Sequence, residues 1–277
     1  MGKGTLWKRT VSGVLFLVVV IGCMLSPWGI LAFVGLLSVL LSHEFYRMTV
    51  ERKYRKEMVC VSLGSLVTLA LLWCHFQFGL DAKYAMLGFL PVAAASIILL
   101  FDAAPTHDFP TAVYFPLVYV TLPLAALLML AYPCGNFGWR LLLGLFVLLW
   151  LCDIGAYLVG MAFGQRPNSR KLFPALSPKK SWIGVVGGTL FTFLAAWGVH
   201  ATFGAAVLPL AHWLALALLV AVFSVPGDLF ESLIKRHAQV KDAGQLIPGH
   251  GGLLDRFDDV LLVVPIVAIY LKLFSLI

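Results

Sequence analysis

The reading of the fold turns on residues 241–274, where KDAGQLIPGHGGLLDRFDD runs straight into VLLVVPIVAIYLKLF. The second part carries a single charge, Lys272, in 15 otherwise uncharged residues. The first part holds Lys241, Arg256, Asp242, Asp255, Asp258, Asp259, His250 and the Gly251–Gly252 pair. That density of carboxylates and turn-formers exceeds what a linker between two apolar helices requires. Polar chemistry pressed against a membrane span is the theme of the whole chain.

Outward from this stretch the composition agrees. The chain has 277 residues, 61% of them hydrophobic and 12% charged. A soluble domain carries about twice that charge. The apolar residues come in blocks, and the fold expected is an all-α, polytopic integral membrane protein. About nine spans are expected, near 10–26, 28–46, 58–80, 84–101, 111–132, 140–163, 182–203, 206–225 and 256–275. Lys8-Arg9 before the first apolar run is read as the flank of a retained helix rather than of a cleaved leader. The five cysteines form no Cys-x-x-Cys pair and suggest neither a disulfide frame nor a zinc site.

Charge placement sets the orientation. With a cytoplasmic N-terminus, 17 of the 20 Lys and Arg fall on the inner side, leaving Lys83, Arg140 and Lys272 outside with the C-terminus. The net charge of +7 then faces anionic headgroups and calls for no nucleic-acid partner. Loops up to about residue 138 look generic, whereas three polar clusters follow it. The chain therefore divides into a packing and lipid-facing part, 1–138, and a catalytic part, 139–277.

The first cluster is CDIGAYLVGMAFG, residues 152–164. Asp153 sits in an otherwise uncharged helix, where an ionisable group usually marks a site. It shares a face with Tyr157 and Gly160, and Gly160-x-x-x-Gly164 permits close helix approach. In the second cluster, RKLFPALSPKKSWIGVVGG, residues 170–188, Ser177-Pro178 is expected to open a turn. Lys179, Lys180 and Ser181 then precede a helix N-terminus, a seat suited to phosphate. In the third, Pro226-Gly227 is expected to end a span, with Asp228 capping the next helix. Asp228, Glu231 and Lys235 form one stripe on that helix, beside Ser232. The chain turns at Ile247–Gly252, and Asp255 opens the last span. Asp228 and Asp255, each at a helix end on one membrane face, suit Mg²⁺, which takes oxygen ligands and shares them with a substrate phosphate.

Residues 232–258 then take on a specific look. Ser232-x-Ile234-Lys235-Arg236-x4-Lys241-Asp242-x-Gly244-x2-Ile247-Pro248-x-His250-Gly251-Gly252-Leu253-x-Asp255-Arg256-x-Asp258 resembles the signature of the phosphatidate cytidylyltransferases, the CDP-diacylglycerol synthases. Asp153–Tyr157 and Ser177–Trp182 resemble further elements of that family, and His43-Glu44-Phe45-Tyr46 is more weakly similar to an acidic-aromatic one. Ile154, Ser181 and Asp259 depart from its usual residues.

The resemblance implies the reaction of CTP with phosphatidate to give CDP-diacylglycerol and pyrophosphate. It implies a site facing the cytoplasm from a bacterial inner membrane, and assembly as a homodimer. On this reading Asp228 and Asp255 hold Mg²⁺, with a second cation in reach, and Lys235, Arg236 and Arg256 act on the reacting phosphates. Ser177, Lys179, Lys180, Ser181, Lys241, His250, Gly251 and Gly252 bind substrate. Asp153, Tyr157, Glu231, Ser232, Asp242 and Asp258 orient those side chains. A cytidylyltransferase for an isoprenoid or ether lipid phosphate is the alternative within this chemistry. A transporter would more often show a repeat and midplane sites, and a scaffold would have little use for these carboxylates.

Overall fold

The computed structural model describes residues 3–50, 54–100, 109–166, 169–174, 176–246 and 251–277. Among these, the regular structure is helical apart from one two-stranded hairpin. Helices α1 (Lys3–Met24), α2 (Pro27–Thr49), α3 (Arg55–Phe78), α4 (Phe89–Leu100), α5 (Phe109–Pro116) and α6 (Leu122–Ala131) come first. Then follow α7 (Trp139–Phe163), the hairpin strands β1 (Lys171–Phe173) and β2 (Ser177–Ser181), α8 (Trp182–Phe203), α9 (Leu210–His237) and α10 (Asp258–Leu273).

Seven stretches are long and apolar enough to cross a bilayer among the described residues: 27–49, 55–78, 82–99, 113–131, 139–163, 182–203 and 210–237. The first and last expected spans fall on shorter apolar helices, Thr10–Met24 and the 16-residue α10. The protein is an all-α, polytopic integral membrane protein. Two stretches are broken helices. Ala82–Gly88 is a tight 3₁₀ segment leading into α4, and Leu117–Thr121 widens to a π-turn between α5 and α6, directly after Pro116. Proline has no N–H to give to the preceding turn, and a widened turn is one way to absorb that loss.

The chain forms two compact units, residues 1–137 with 240–256, and residues 138–239 with 257–277. The first unit holds α1 to α6 together with the 240–256 segment. Ser26 caps α2, its hydroxyl accepting from the Gly29 N–H at 2.9 Å, with Pro27 at the first helical position. The Trp73 indole donates to the Pro27 carbonyl at 2.9 Å, tying α3 to the start of α2. Near the other end of α2, the Tyr46 hydroxyl donates to the Val113 carbonyl at 2.9 Å. Between α3 and the 3₁₀ segment, Gly64 and Gly88 meet backbone to backbone: a Cβ on either would come within 2.6 Å of the other's carbonyl oxygen.

The second unit holds α7 to α10 and the hairpin. The seam of α7 on α8 is made by glycines. A Cβ on Gly155 would lie 2.6 Å from Phe191 Cβ, one on Gly188 would lie 2.9 Å from the Cys152 carbonyl, and Gly184 sits against Gly160. Small residues let backbones approach where lipid, being as apolar as leucine, offers no hydrophobic drive.

Two expectations about local structure are corrected. First, Pro226-Gly227 does not end a span: α9 runs unbroken for 28 residues, with Pro226 inside it. Membrane helices tolerate such a proline because neighbouring groups re-satisfy the freed carbonyl. Asp228 is therefore an interior helix residue and caps nothing. A helix of 28 residues is about 42 Å long against a hydrocarbon core of about 30 Å, so its polar C-terminal turns have length to spare beyond the apolar part. Second, Ser177-Pro178 opens no turn; both residues lie in β2, which pairs antiparallel with β1, Lys171 opposite Ser181. Proline fits there because the strand is an edge.

Candidate active site

In the second unit, three helices and the hairpin assemble the polar groups. The hairpin hangs from the C-terminal end of α7. Lys171 Nζ donates to the Gly164 carbonyl at 2.8 Å, as a basic residue at a helix C-terminus does, and to Gln165 Oε1 at 3.0 Å. Gln165 Nε2 in turn donates to the Lys179 carbonyl at 3.0 Å. Ser181 is buried and caps α8, its hydroxyl accepting from the Gly184 N–H at 3.3 Å. Its Oγ thus serves the helix start, while Lys179 on the same strand is exposed. Lys180 forms an ion pair with Asp228 Oδ2 on α9.

Asp228 also accepts, through Oδ1, from the Ser232 hydroxyl at 3.4 Å, one helical turn on. Glu231 is fully buried and ion-paired with Lys235 at i+4. Asp258 opens α10 beside them. Carboxylate oxygens of Asp228, Glu231 and Asp258 all lie within 4.8 Å of one another. Gly227 allows this convergence: a Cβ there would lie 2.9 Å from the Asp258 carbonyl oxygen and 2.9 Å from Asp259 Cα. The first turn of α10 therefore seats directly on α9. Asp259, also buried, folds back to accept from the Val260 N–H at 2.7 Å.

Three acids at such separation in one pocket repel one another and are costly to desolvate unless cations offset them. Lys180 and Lys235 supply two positive charges. Oxygen-only donors of this kind are what a hard divalent ion takes. Glu231 and Asp258, expected to orient other side chains, thus join Asp228 as candidate ligands. The sequence clue to Glu231 was its position three residues after Asp228 on one helix face. Asp153 and Tyr157 are exposed on α7, and Arg236 is exposed at the end of α9.

Asp255 belongs to the first unit, where the 240–256 segment is organised by two carboxylates. Asp255 Oδ2 accepts from the N–H groups of Ala243 at 3.0 Å and Gly252 at 2.9 Å, closing the segment on itself. Asp255 and Arg256 lie in a 3₁₀ turn, Leu254–Arg256. Gly251 has φ +88°, a conformation that other L-residues rarely adopt. Glu44 on α2 is buried and accepts from Leu253 N at 3.0 Å through Oε1 and from Leu254 N at 2.7 Å through Oε2. Lys241, Asp242 and Arg256 are exposed around this core. His250 lies outside the described residues.

Glu44 is a buried carboxylate holding this segment to which the sequence assigned no role. Its only signal was an acid in an apolar helix, in the His43–Tyr46 element.

Comparison with known proteins follows the same residues. The profile described as the cytidylyltransferase family matches residues 7–274, nearly the whole chain. A Thermotoga maritima protein named phosphatidate cytidylyltransferase is 32% identical over 268 residues, covering 92% of this chain and 95% of the relative. A Bacillus subtilis protein of the same name is 32% identical over 230 residues, covering 79% of this chain and 82% of its own length. One from Haemophilus influenzae is 44% identical over 131 residues, 46% of this chain and 44% of the relative. A carboxylate cluster held by lysines at the polar end of a membrane helix, with these matches, leads to one assignment: the chain belongs to the cytidylyltransferase family and is a nucleotidyltransferase.

Proposed function

We propose that the protein is a phosphatidate cytidylyltransferase, transferring the cytidylyl group of CTP to phosphatidate and releasing pyrophosphate. The observation that carries this reading is the convergence of Asp228, Glu231 and Asp258, with Lys180 and Lys235 paired to two of them. The name shared by the curated relatives supports the lipid substrate.

In the reaction a phosphate oxygen of phosphatidate forms the new bond to the α-phosphorus of CTP, and the bond to the β-phosphate bridging oxygen breaks. The attacking phosphate is already an anion, so no strong general base is needed. The barrier is repulsion between two anions and the cost of aligning them, which positioning and fixed positive charge overcome. Asp228, Glu231 and Asp258 fit a divalent cation, for which we propose Mg²⁺. Such an ion supplies positive charge to polyphosphate oxygens when bound.

Lys180 and Lys235, already anchored on carboxylates, have their ammonium groups held in place for a phosphate. The exposed Lys179 and Arg236 add charge around them. For Lys241 and Arg256, on the 240–256 segment, we propose the same phosphate-neutralising role, with Asp255 holding that segment in shape. CTP is confined to water and phosphatidate to the leaflet, so the chemistry belongs at the membrane surface. The surplus of Lys and Arg on one set of loops supports the cytoplasmic face of an inner membrane as that surface.

The test is pyrophosphate release by the purified chain in detergent micelles, supplied with CTP, Mg²⁺ and dioleoyl phosphatidate. Release is expected only with all three present, with matching formation of a CDP-lipid. Turnover with an isoprenoid phosphate but not with phosphatidate would move the assignment to another lipid phosphate. No turnover with either would overturn it.

A further inference from the structure

We propose that Glu44 is a positioning residue for the transfer reaction, holding the 252–256 backbone and, through it, Asp255 and Arg256; this rests on the reaction proposed above. Glu44 is 2% exposed, and the buried face of α2 around it carries Ser38, Ser42 and otherwise apolar or aromatic side chains. A carboxylate in that setting persists only if its charge is met by donors. Here the donors are two consecutive backbone N–H groups, one to each oxygen, from residues 209 and 210 positions further along the chain. Leu253 and Leu254 lie outside both strands of the hairpin, and α2 supplies the acceptors that a sheet would otherwise give.

The glycines of the segment point to the same arrangement independently. A Cβ on Gly244 would lie 2.8 Å from Glu44 Cδ and closer still to Oε1. A Cβ on Gly252 would meet Gly244 N at 2.6 Å, Glu44 Oε2 at 2.9 Å and Asp255 Oδ2 at 3.0 Å. Gly252 is thus enclosed by the two carboxylates, and its own N–H goes to Asp255. Leu254, whose N–H Glu44 holds, directly precedes Asp255. Glu44 and Asp255 therefore grip adjoining peptides of one short turn, the first from a fixed helix and the second from within. Shifting the outer grip moves the inner one, and with it the Arg256 side chain.

The discriminating substitution is Glu44→Gln. It keeps the size but turns one acceptor into an NH₂ group facing a backbone N–H. In the full chain, kcat is expected to fall on the order of tenfold to a hundredfold, the scale of a small misplacement of reacting groups. KM for CTP and for phosphatidate should stay within about threefold, since Lys180 and Lys235 keep their carboxylate partners and Arg256 is displaced rather than removed. Amide exchange across 252–256 should quicken while that of α3 is unchanged. A kcat within twofold of the parent, or unaltered exchange in 252–256, would overturn the proposal. If Glu44→Gln does not yield a folded protein, Gly244→Ala presses on the same carboxylate from the loop side with α2 intact. It should show the same drop in kcat and the same local exchange, and parental behaviour there would equally refute the idea. A parent chain inert toward CTP and phosphatidate would sink the proposed reaction alone, and the exchange measurement would then decide whether Glu44 holds the segment.

Discussion

Asp228 is where several polar contacts meet: it touches Lys180 from the hairpin and Ser232 from its own helix, and its carboxylate lies within 4.8 Å of those of Glu231 and Asp258. Asp228→Asn removes the charge at nearly constant size. Pyrophosphate release is expected to fall on the order of 10²–10³, the scale of losing one preorganised electrostatic group. Asp258→Asn should also lower activity and raise the Mg²⁺ needed for half-maximal rate. Unchanged Mg²⁺ dependence would place the ion elsewhere. Asp255→Asn should abolish turnover by a different route, because a neutral amide oxygen accepts from Ala243 and Gly252 more weakly than the carboxylate oxygen does. It should therefore quicken amide exchange in the 243–252 segment, which Asp228→Asn should not do. Lys56, exposed on α3 and far from these groups in sequence, serves as the control: Lys56→Ala should be nearly silent in the same assay.

At the level of elements, glycines decide how close the helices come. Gly227→Ala would put a methyl 2.9 Å from backbone atoms of Asp258 and Asp259, which cannot move as a flexible side chain can. The expected cost is about 1–3 kcal/mol, measured as a lower midpoint of thermal unfolding in detergent. A larger effect is expected on the Mg²⁺ dependence, because α10 must lift away from α9 and take Asp258 with it. The stripe of Asp228, Glu231 and Lys235 was legible as a 3.6-residue period. The continuity of α9 was not. Pro226-Gly227 reads as a break in any sequence, and only the packing of α10 on Gly227 shows why the helix carries on. The hairpin was equally hidden, since its two short strands carry no alternation. What holds it is Lys171 on the end of α7 and the Trp182 N–H on the Arg170 carbonyl at 3.1 Å.

For the whole molecule, the orientation proposed from the basic residues can be tested without reference to activity. With Cys23, Cys60, Cys74, Cys134 and Cys152 replaced, single cysteines are placed by Lys83→Cys and Lys241→Cys. An impermeant thiol reagent added to intact spheroplasts should modify position 83 and reach position 241 only after permeabilisation. Labelling of both from one side would overturn the topology. Lys83 lies beside a cap in which Asp81 accepts from the Lys83 N–H at 3.0 Å and pairs with its ammonium at 2.9 Å, so the substitution leaves one of the two contacts in place.

Long apolar runs, a lopsided distribution of Lys and Arg, and a dense polar signature are properties of the chain itself. Membrane burial and family could therefore be read from order and spacing alone. Distances between carboxylates are not such a property. Asp258 reaches Asp228 and Glu231 because a glycine lets two helices touch, and Glu44 reaches Leu253 and Leu254 because α2 lies against a segment more than two hundred residues away. A one-dimensional pattern records which acids a chain has; which of them share a cation or hold a backbone is set by packing, through contacts that have no period to detect.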